Sequence, residues 1–207
     1  MLGYDIKLII FKSHPNFTHR PLVIGNNTIE RVSTYKILGV FIDSDLRWNS
    51  HVNYIYKKAC KKLYSLRILR RAGVDQGSML KVYTSAVRSV IEYAVPVWQS
   101  IPGYLSDKIE SIQKRALKII FPCADSYSEA LELARVETLA YRRDKICKEY
   151  MCKMKDLNHP LHPLLPTRLD DTCPYNLRHK SDQLYLYRNV TTCRTKCTEE
   201  FLTFKYF

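Results

Sequence analysis

Apolar positions along the chain change their period once, near residue 48. Before that point short β-rich runs dominate. Ile6 to Phe11 is one, and Tyr35 to Ile42 is another, with Gly39 inside it. Between them, Pro21-Leu22-Val23-Ile24, Gly25-Asn26-Asn27 and Thr28 to Val32 read as a hairpin, because Gly and Asn supply the positive φ its turn needs. Glycine inside a strand predicts a bulge or the close approach of another backbone.

After Trp48 the apolar residues recur at helical spacing. Val52, Ile55, Ala59, Leu63 and Leu66 form a stripe on a long helix that Gly73 stops. A second helix is expected from Gln76 to Val95, with Leu80, Tyr83, Val87, Val90, Ile91 and Ala94 on its apolar side and Pro96 ending or kinking it. A third runs from Leu105 to Phe121, burying Leu105, Ile109, Ile112, Ala116 and Ile119. Two shorter helices follow. Ser128 to Arg135 is capped by Ser126 or Ser128, and Thr138 to Lys155 carries Leu139, Arg142, Arg143, Ile146, Tyr150 and Met154. Beyond Leu157, Pro160, Pro163, Pro166 and Pro174 interrupt any regular period.

The expected fold is therefore mainly α. About five helices pack as a bundle, with a small antiparallel β cap before them and an extended tail after them. The segments are 1–47 for the cap, 48–157 for the helical domain and 158–207 for an irregular tail containing Pro and Cys. With 46 % hydrophobic residues in 207, a core is feasible without cross-links. No run approaches the roughly 20 apolar residues of a membrane span, and Leu8-Ile9-Ile10-Phe11 is too short for a signal core. The seven scattered cysteines then read as reduced thiols in an intracellular protein, nuclear or cytoplasmic.

Charge sharpens the picture. The formal net charge is +13, which implies a polyanionic partner. It is concentrated. Between His51 and Gly73 lie Lys57, Lys58, Lys61, Lys62, Arg67, Arg70 and Arg71, with no acidic residue among them. Lys108, Lys114, Arg115 and Lys118 add a basic face to the third helix. Such a stripe can follow phosphates, each contact releasing counterions. The plainer reading is a solvated face that only aids solubility, and a basic amphipathic helix can also lie on a membrane. His159-x-x-His162 with Cys193-x-x-x-Cys197 has loose spacing for zinc, so no metal is expected. No nucleophile elbow or glycine-rich phosphate loop occurs, and no cofactor or small-molecule substrate is expected.

Several motifs carry a resemblance. Tyr35-Lys36-Ile37-Leu38-Gly39-Val40-Phe41-Ile42-Asp43, then Asp45-Leu46-Arg47-Trp48 and His51-Val52, resembles the strand-turn-helix after the catalytic loop of non-LTR (LINE-type) retrotransposon reverse transcriptases. Tyr83 to Ala94 with Val97-Trp98 resembles that family's thumb helix, and Ile109 to Ala116 its following helix. Glu129-Ala130-Leu131, Leu139-x-x-Arg142-Arg143 and Tyr175-Asn176-Leu177-Arg178 also fit, the last resembling jockey-like members. The resemblance covers about residues 20–205. It implies a primer-grip role for Leu38, Gly39 and Val40, and a thumb-like bundle that holds an RNA or DNA duplex by its backbone. It also implies what is missing. The family's polymerase chemistry needs metal-holding carboxylates, and no Tyr-x-Asp-Asp occurs, so the chain is expected to begin just past that hairpin and to be inactive alone. A structural relic without a partner, and a subunit completed in trans by a separate palm, are the alternatives.

Residues 51–74 are also similar to the small N-terminal helical segment of AlkB-homologue tRNA-modifying enzymes. The AlkB iron site needs His-x-Asp, which does not occur here, so no dioxygenase or methyltransferase activity is expected.

Overall fold

The computed structural model describes residues 7–11 and 21–165, and the fold is mainly α with a few short strands. The described residues fall into two compact units. One runs up to Ala94 and includes Ile101–Val136; the other joins Val95–Ser100 to the chain from Glu137 onward. Tyr175–Arg178, Pro166, Pro174, Cys173, Cys193 and Cys197 lie outside the described residues.

In the first unit, β1 (Lys7–Leu8) pairs in parallel with β4 (Glu30–Arg31), while β2 (Val23–Ile24) and β3 (Asn27–Thr28) form the expected hairpin. Gly25 opens its two-residue turn at φ +61. The expected third strand differs. It is two strands, β5 (Thr34–Ile37) and β6 (Val40–Asp43), paired antiparallel about Leu38 and Gly39. Both turn residues have positive φ, +48 and +85, as a type I′ turn requires. Gly39 is thus the pivot of a hairpin and not a bulge. A leucine at the other pivot hid the turn, because branched side chains rarely take that conformation.

Helix α1 (Asn49–Arg71) begins at an unusual junction. Asp43, buried at the end of β6, accepts from the Ser50 N–H at 3.1 Å and from the Thr34 hydroxyl at 2.8 Å. It caps the helix from outside the helix's own sequence, satisfying one of the first-turn donors. Leu46 and Trp48 both adopt left-handed backbone, at φ +53 and +64. Asp45 stabilises that loop by accepting from the Arg47 N–H at 3.0 Å. His51 is wholly buried, and its Nδ1 accepts from the Phe41 N–H at 3.4 Å. Burial drops the His51 pKa from 6.5 to about 4, with the nearby Asp43 carboxylate pulling the other way. The Asp43-x-x-Leu46-x-Trp48-x-x-His51 pattern is therefore a clamp between hairpin and helix.

At its other end α1 closes with a Schellman motif. Val74 N–H donates to the Leu69 carbonyl and Gly73 N–H to that of Arg70, both at 3.1 Å, with Gly73 at φ +74. The expected apolar stripe is the buried one: Val52, Ile55, Ala59, Leu63 and Leu66.

The second helix is not uniform. It is α2 (Gln76–Val82), a π-helical segment (Tyr83–Arg88) and α3 (Ser89–Glu92). Its buried side chains are Met79, Tyr83, Val87 and Ile91, every fourth residue. On an α-helix of about 3.6 residues per turn, those three steps would walk the stripe round by about 120°. The wider π turn keeps it in line. Hydroxyls support the widened turn: Thr84 and Ser85 donate to the Lys81 carbonyl and Ser89 to that of Ser85. The helix ends at Glu92, earlier than expected, because Ala94 turns left-handed at φ +54. Pro96 instead sits in the first turn of α4 (Val95–Trp98), where its missing N–H costs little.

Helix α5 (Gly103–Ile120) packs along α1, burying Leu105, Ile109, Ile112, Gln113, Ala116, Leu117 and Ile120. A buried polar chain crosses the core. Tyr83 donates to Gln113 at 2.6 Å, Gln113 to Tyr127 at 3.0 Å, and Tyr127 to Glu110. Burial raises the hydroxyl pKa of both tyrosines. Ser126 caps α6 (Tyr127–Ala134), accepting from Glu129 N–H, while Glu129 accepts from Asp125 N–H, a near capping box.

The second unit holds α4 and α7 (Leu139–Met154), and Thr138 caps α7. Here the buried row is Leu139, Arg143, Cys147 and Met151; of the residues named for this helix from sequence, Leu139 and Arg143 belong to it, while Arg142, Ile146, Tyr150 and Met154 are half-buried. A charged residue occupies a core position because its partners are buried too. Arg143 donates to Gln99 Oε1 at 3.1 Å, and Gln99 donates to Asp144 at 2.7 Å. After α7 the chain forms turns and a 3-10 turn, His162–Leu164.

Candidate nucleic-acid interface

Two features of the first unit meet beside α1: the β5–β6 turn and the basic surface. The turn places Leu38 in solvent at 86 % exposure, while Val40 is buried beneath it. Tyr93, just past α3, holds the tip. Its hydroxyl donates to the Leu38 carbonyl at 2.7 Å, and its ring lies where a Gly39 side chain would make contact, 3.5 Å from a Cβ. Gly39, Tyr54, Ile55, Lys58, Ser89, Val90 and Tyr93 line a cleft of about 260 Å³. The structure therefore brings Gly39 and Lys58, predicted for different reasons, into one wall.

The remaining predicted cations sort by what covers them. Tyr54 packs on Phe41 with ring centroids 5.0 Å apart, and the Lys36 ammonium sits 4.7 Å from the Tyr54 ring centre. Lys58 reaches the same ring at 5.9 Å. Tyr56 lies under two cations of α5: Lys108 at 5.1 Å and Arg115 at 5.3 Å. Arg115 also donates to the Tyr56 hydroxyl at 2.9 Å and to Cys60 Sγ at 3.1 Å, and Lys108 to Asn53 at 2.5 Å. Lys114 faces Tyr127 at 5.2 Å, and Arg70 donates to the Ile119 carbonyl at 3.1 Å. These contacts are glue between helices, each worth about 0.5–1 kcal/mol at partly exposed sites.

Lys57, Lys61, Lys62, Arg67, Arg71 and Lys118 have no hydrogen-bond, ion-pair or ring partner among the described residues. Five of the six are on α1, which carries no acidic residue. At about 100° per residue, Lys57, Lys61 and Arg71 face away from the core, with Lys62 and Arg67 on the flanks. Lys36, Tyr54 and Tyr93 belong to this site although charge pattern alone does not select them. Their signal is in the Lys36–Val40 motif and in tyrosines spaced to meet cations, which only the fold pairs up.

Cys60, Cys123, Cys147 and Cys152 form no disulfide among the described residues. No group of His, Cys, Asp or Glu among the described residues is placed to hold a metal ion. His159 Nδ1 accepts from the Leu161 N–H at 3.2 Å, and its ring meets Tyr150 edge-on. No helix among the described residues is long and apolar enough to cross a membrane.

A protein-family model described as "Alkylated DNA repair protein alkB homolog 8, N-terminal" matches residues 48–89. The match encloses the 51–74 segment singled out above and runs from the end of the Asp43–His51 clamp through α1, α2 and the π segment. It covers well under half of the chain. No curated protein and no solved structure matches it.

Proposed function

We propose that the chain is a nucleic-acid-binding helical module, related to the palm-end and thumb region of non-LTR retrotransposon reverse transcriptases, that does no polymerase chemistry by itself. The observation that carries the reading is the row of uncovered cations on α1, beside a strained hairpin tip held in place by Tyr93. A backbone-tracking surface needs mobile positive charge at regular spacing, and α1 offers it every turn. In this reading Leu38, Gly39 and Val40 approach a strand end, and Lys57 to Arg71 grip phosphates. Within these residues no Tyr-x-Asp-Asp supplies metal-holding carboxylates, so the proposed role is binding alone.

Fluorescence anisotropy with an RNA–DNA hybrid duplex across a salt series tests it. Neutralising five phosphates gives a log–log slope near about −4.5. Affinity weaker than micromolar at low salt, or independent of salt, overturns the reading.

The family match favours a second reading, in which the 48–89 segment is a relative of the N-terminal part of alkB homolog 8. With no His-x-Asp in the chain, that reading carries kinship and no oxygenase chemistry. Turnover of an alkylated nucleic acid by the purified chain would restore the chemistry to it.

A further inference from the structure

The three tyrosines of α1 differ in one respect. Tyr54 and Tyr56 are each covered by cations from other elements. Tyr64 is 61 % exposed and has no ring, cation or hydrogen-bond partner among the described residues. It lies on the outward row Lys57, Lys61, Tyr64, Ile68, Arg71, whose steps of four and three residues keep it on one face. Ile68, one turn on, is also exposed, at 46 %. An open aromatic ring extended by an aliphatic side chain, between unpaired cations, exposes apolar surface that a purely phosphate-tracking face does not need.

We propose that this row binds single-stranded nucleic acid, with the Tyr64 ring and Ile68 forming a platform for an unstacked base. Lys57, Lys61 and Arg71 take the adjoining phosphates. The proposal rests on the nucleic-acid reading above and narrows it. A duplex keeps its bases stacked and offers Tyr64 only backbone, whereas a single strand offers a π-face of any sequence, which is why such platforms bind with little base preference. The row spans about 21 Å, enough for several nucleotides. Charge complementarity selects the polyanion, and the exposed ring selects the unpaired strand.

The test is anisotropy on the full chain with labelled oligo(dT) and oligo(rU) of about 12 nucleotides, within the usual site sizes, alongside a duplex of equal length. Tyr64→Ala is expected to weaken single-strand binding about tenfold and to leave duplex binding within about twofold. Tyr64→Trp retains the single-strand affinity, and stacking quenches the emission of the new indole. Tyr141→Ala, which removes an equally exposed tyrosine from α7, changes neither. Circular dichroism confirms that the variants fold, as expected at so exposed a position. An unchanged single-strand affinity in Tyr64→Ala, or an equal loss on both ligands, overturns the proposal while leaving backbone binding intact. Wild-type chain that binds neither oligonucleotide nor duplex, or binds only phosphatidylserine vesicles, overturns the nucleic-acid reading itself.

Discussion

The two ends of α1 use the same pair of residue types in opposite ways. Toward Asn49 the helix supplies tyrosines, and other elements supply the cations: Lys36 from β5, Lys108 and Arg115 from α5. Toward Arg71 the helix supplies cations of its own and a tyrosine that nothing covers. In the first region each positive charge is enclosed by a ring or a side-chain oxygen and cannot reach far for a ligand. In the second, apart from Arg70, which donates to the Ile119 carbonyl, the charges are free to move. Positive charge on a helix is thus no measure of binding until the rings around it are counted. The covered end is adhesive and the open end is available.

Predictions can break or sharpen that contrast. The largest effect belongs to the face that both ends share. Leu66→Ala, at a fully buried position, should lower unfolding free energy by about 3 kcal/mol, read from urea midpoints. An effect below that of surface variants would mean that α1 is not anchored as described.

Acid should attack the covered end next. His51 is held neutral in the folded chain down to about pH 4, whereas the unfolded chain takes up a proton near 6.5. Between those values the unfolded state binds more protons, so stability is complete above the window and falls as pH drops through it. The loss is up to about 3 kcal/mol. His51→Gln should flatten the pH dependence of the urea midpoint even where it lowers stability at neutral pH. A midpoint that does not change between pH 7 and 4.5 would remove His51 from the clamp.

Tyr83→Phe takes the hydroxyl from the buried chain and leaves Gln113 Oε1 without that donor, at a cost of about 2 kcal/mol. Arg115→Met should cost about 1 kcal/mol through the lost ring and hydroxyl contacts at the covered end. Lys61→Gln, at the open end, should change stability by no more than about 0.5 kcal/mol. The same substitution should reduce the salt slope of nucleic-acid binding by about one. If Arg115→Met and Lys61→Gln prove equal in both measurements, the division of α1 into two ends fails.

How far these features were legible follows from what sets each one. The helices were legible because α1 and α5 keep an ordinary period from Val52 to Leu66 and from Leu105 to Ala116. The β5–β6 turn was not, because Leu38 occupies a conformation that sequence preference assigns to Asn or Gly. The buried row of α7 was not separable from its neighbours because it includes Arg143, and a charged residue marks a core position only when Gln99 and Asp144 are known to stand beside it. For the site, the charge run pointed to the correct helix. It could not separate Lys61 from Arg115, since their difference lies in Tyr56, fifty-nine residues away from Arg115 along the chain.

The π segment between α2 and α3 has a consequence for the hairpin tip. A helix is a screw, and one added residue changes the bearing of everything after it. Were the segment to relax to an ordinary helix without losing a residue, the downstream chain would swing by about 120°. Tyr93 would then miss the Leu38 carbonyl altogether. The widened turn works as a phase setting: braced by the hydroxyls of Thr84, Ser85 and the following Ser89, it sets the compass bearing at which a tyrosine one helix-end away meets a loop from the start of the chain.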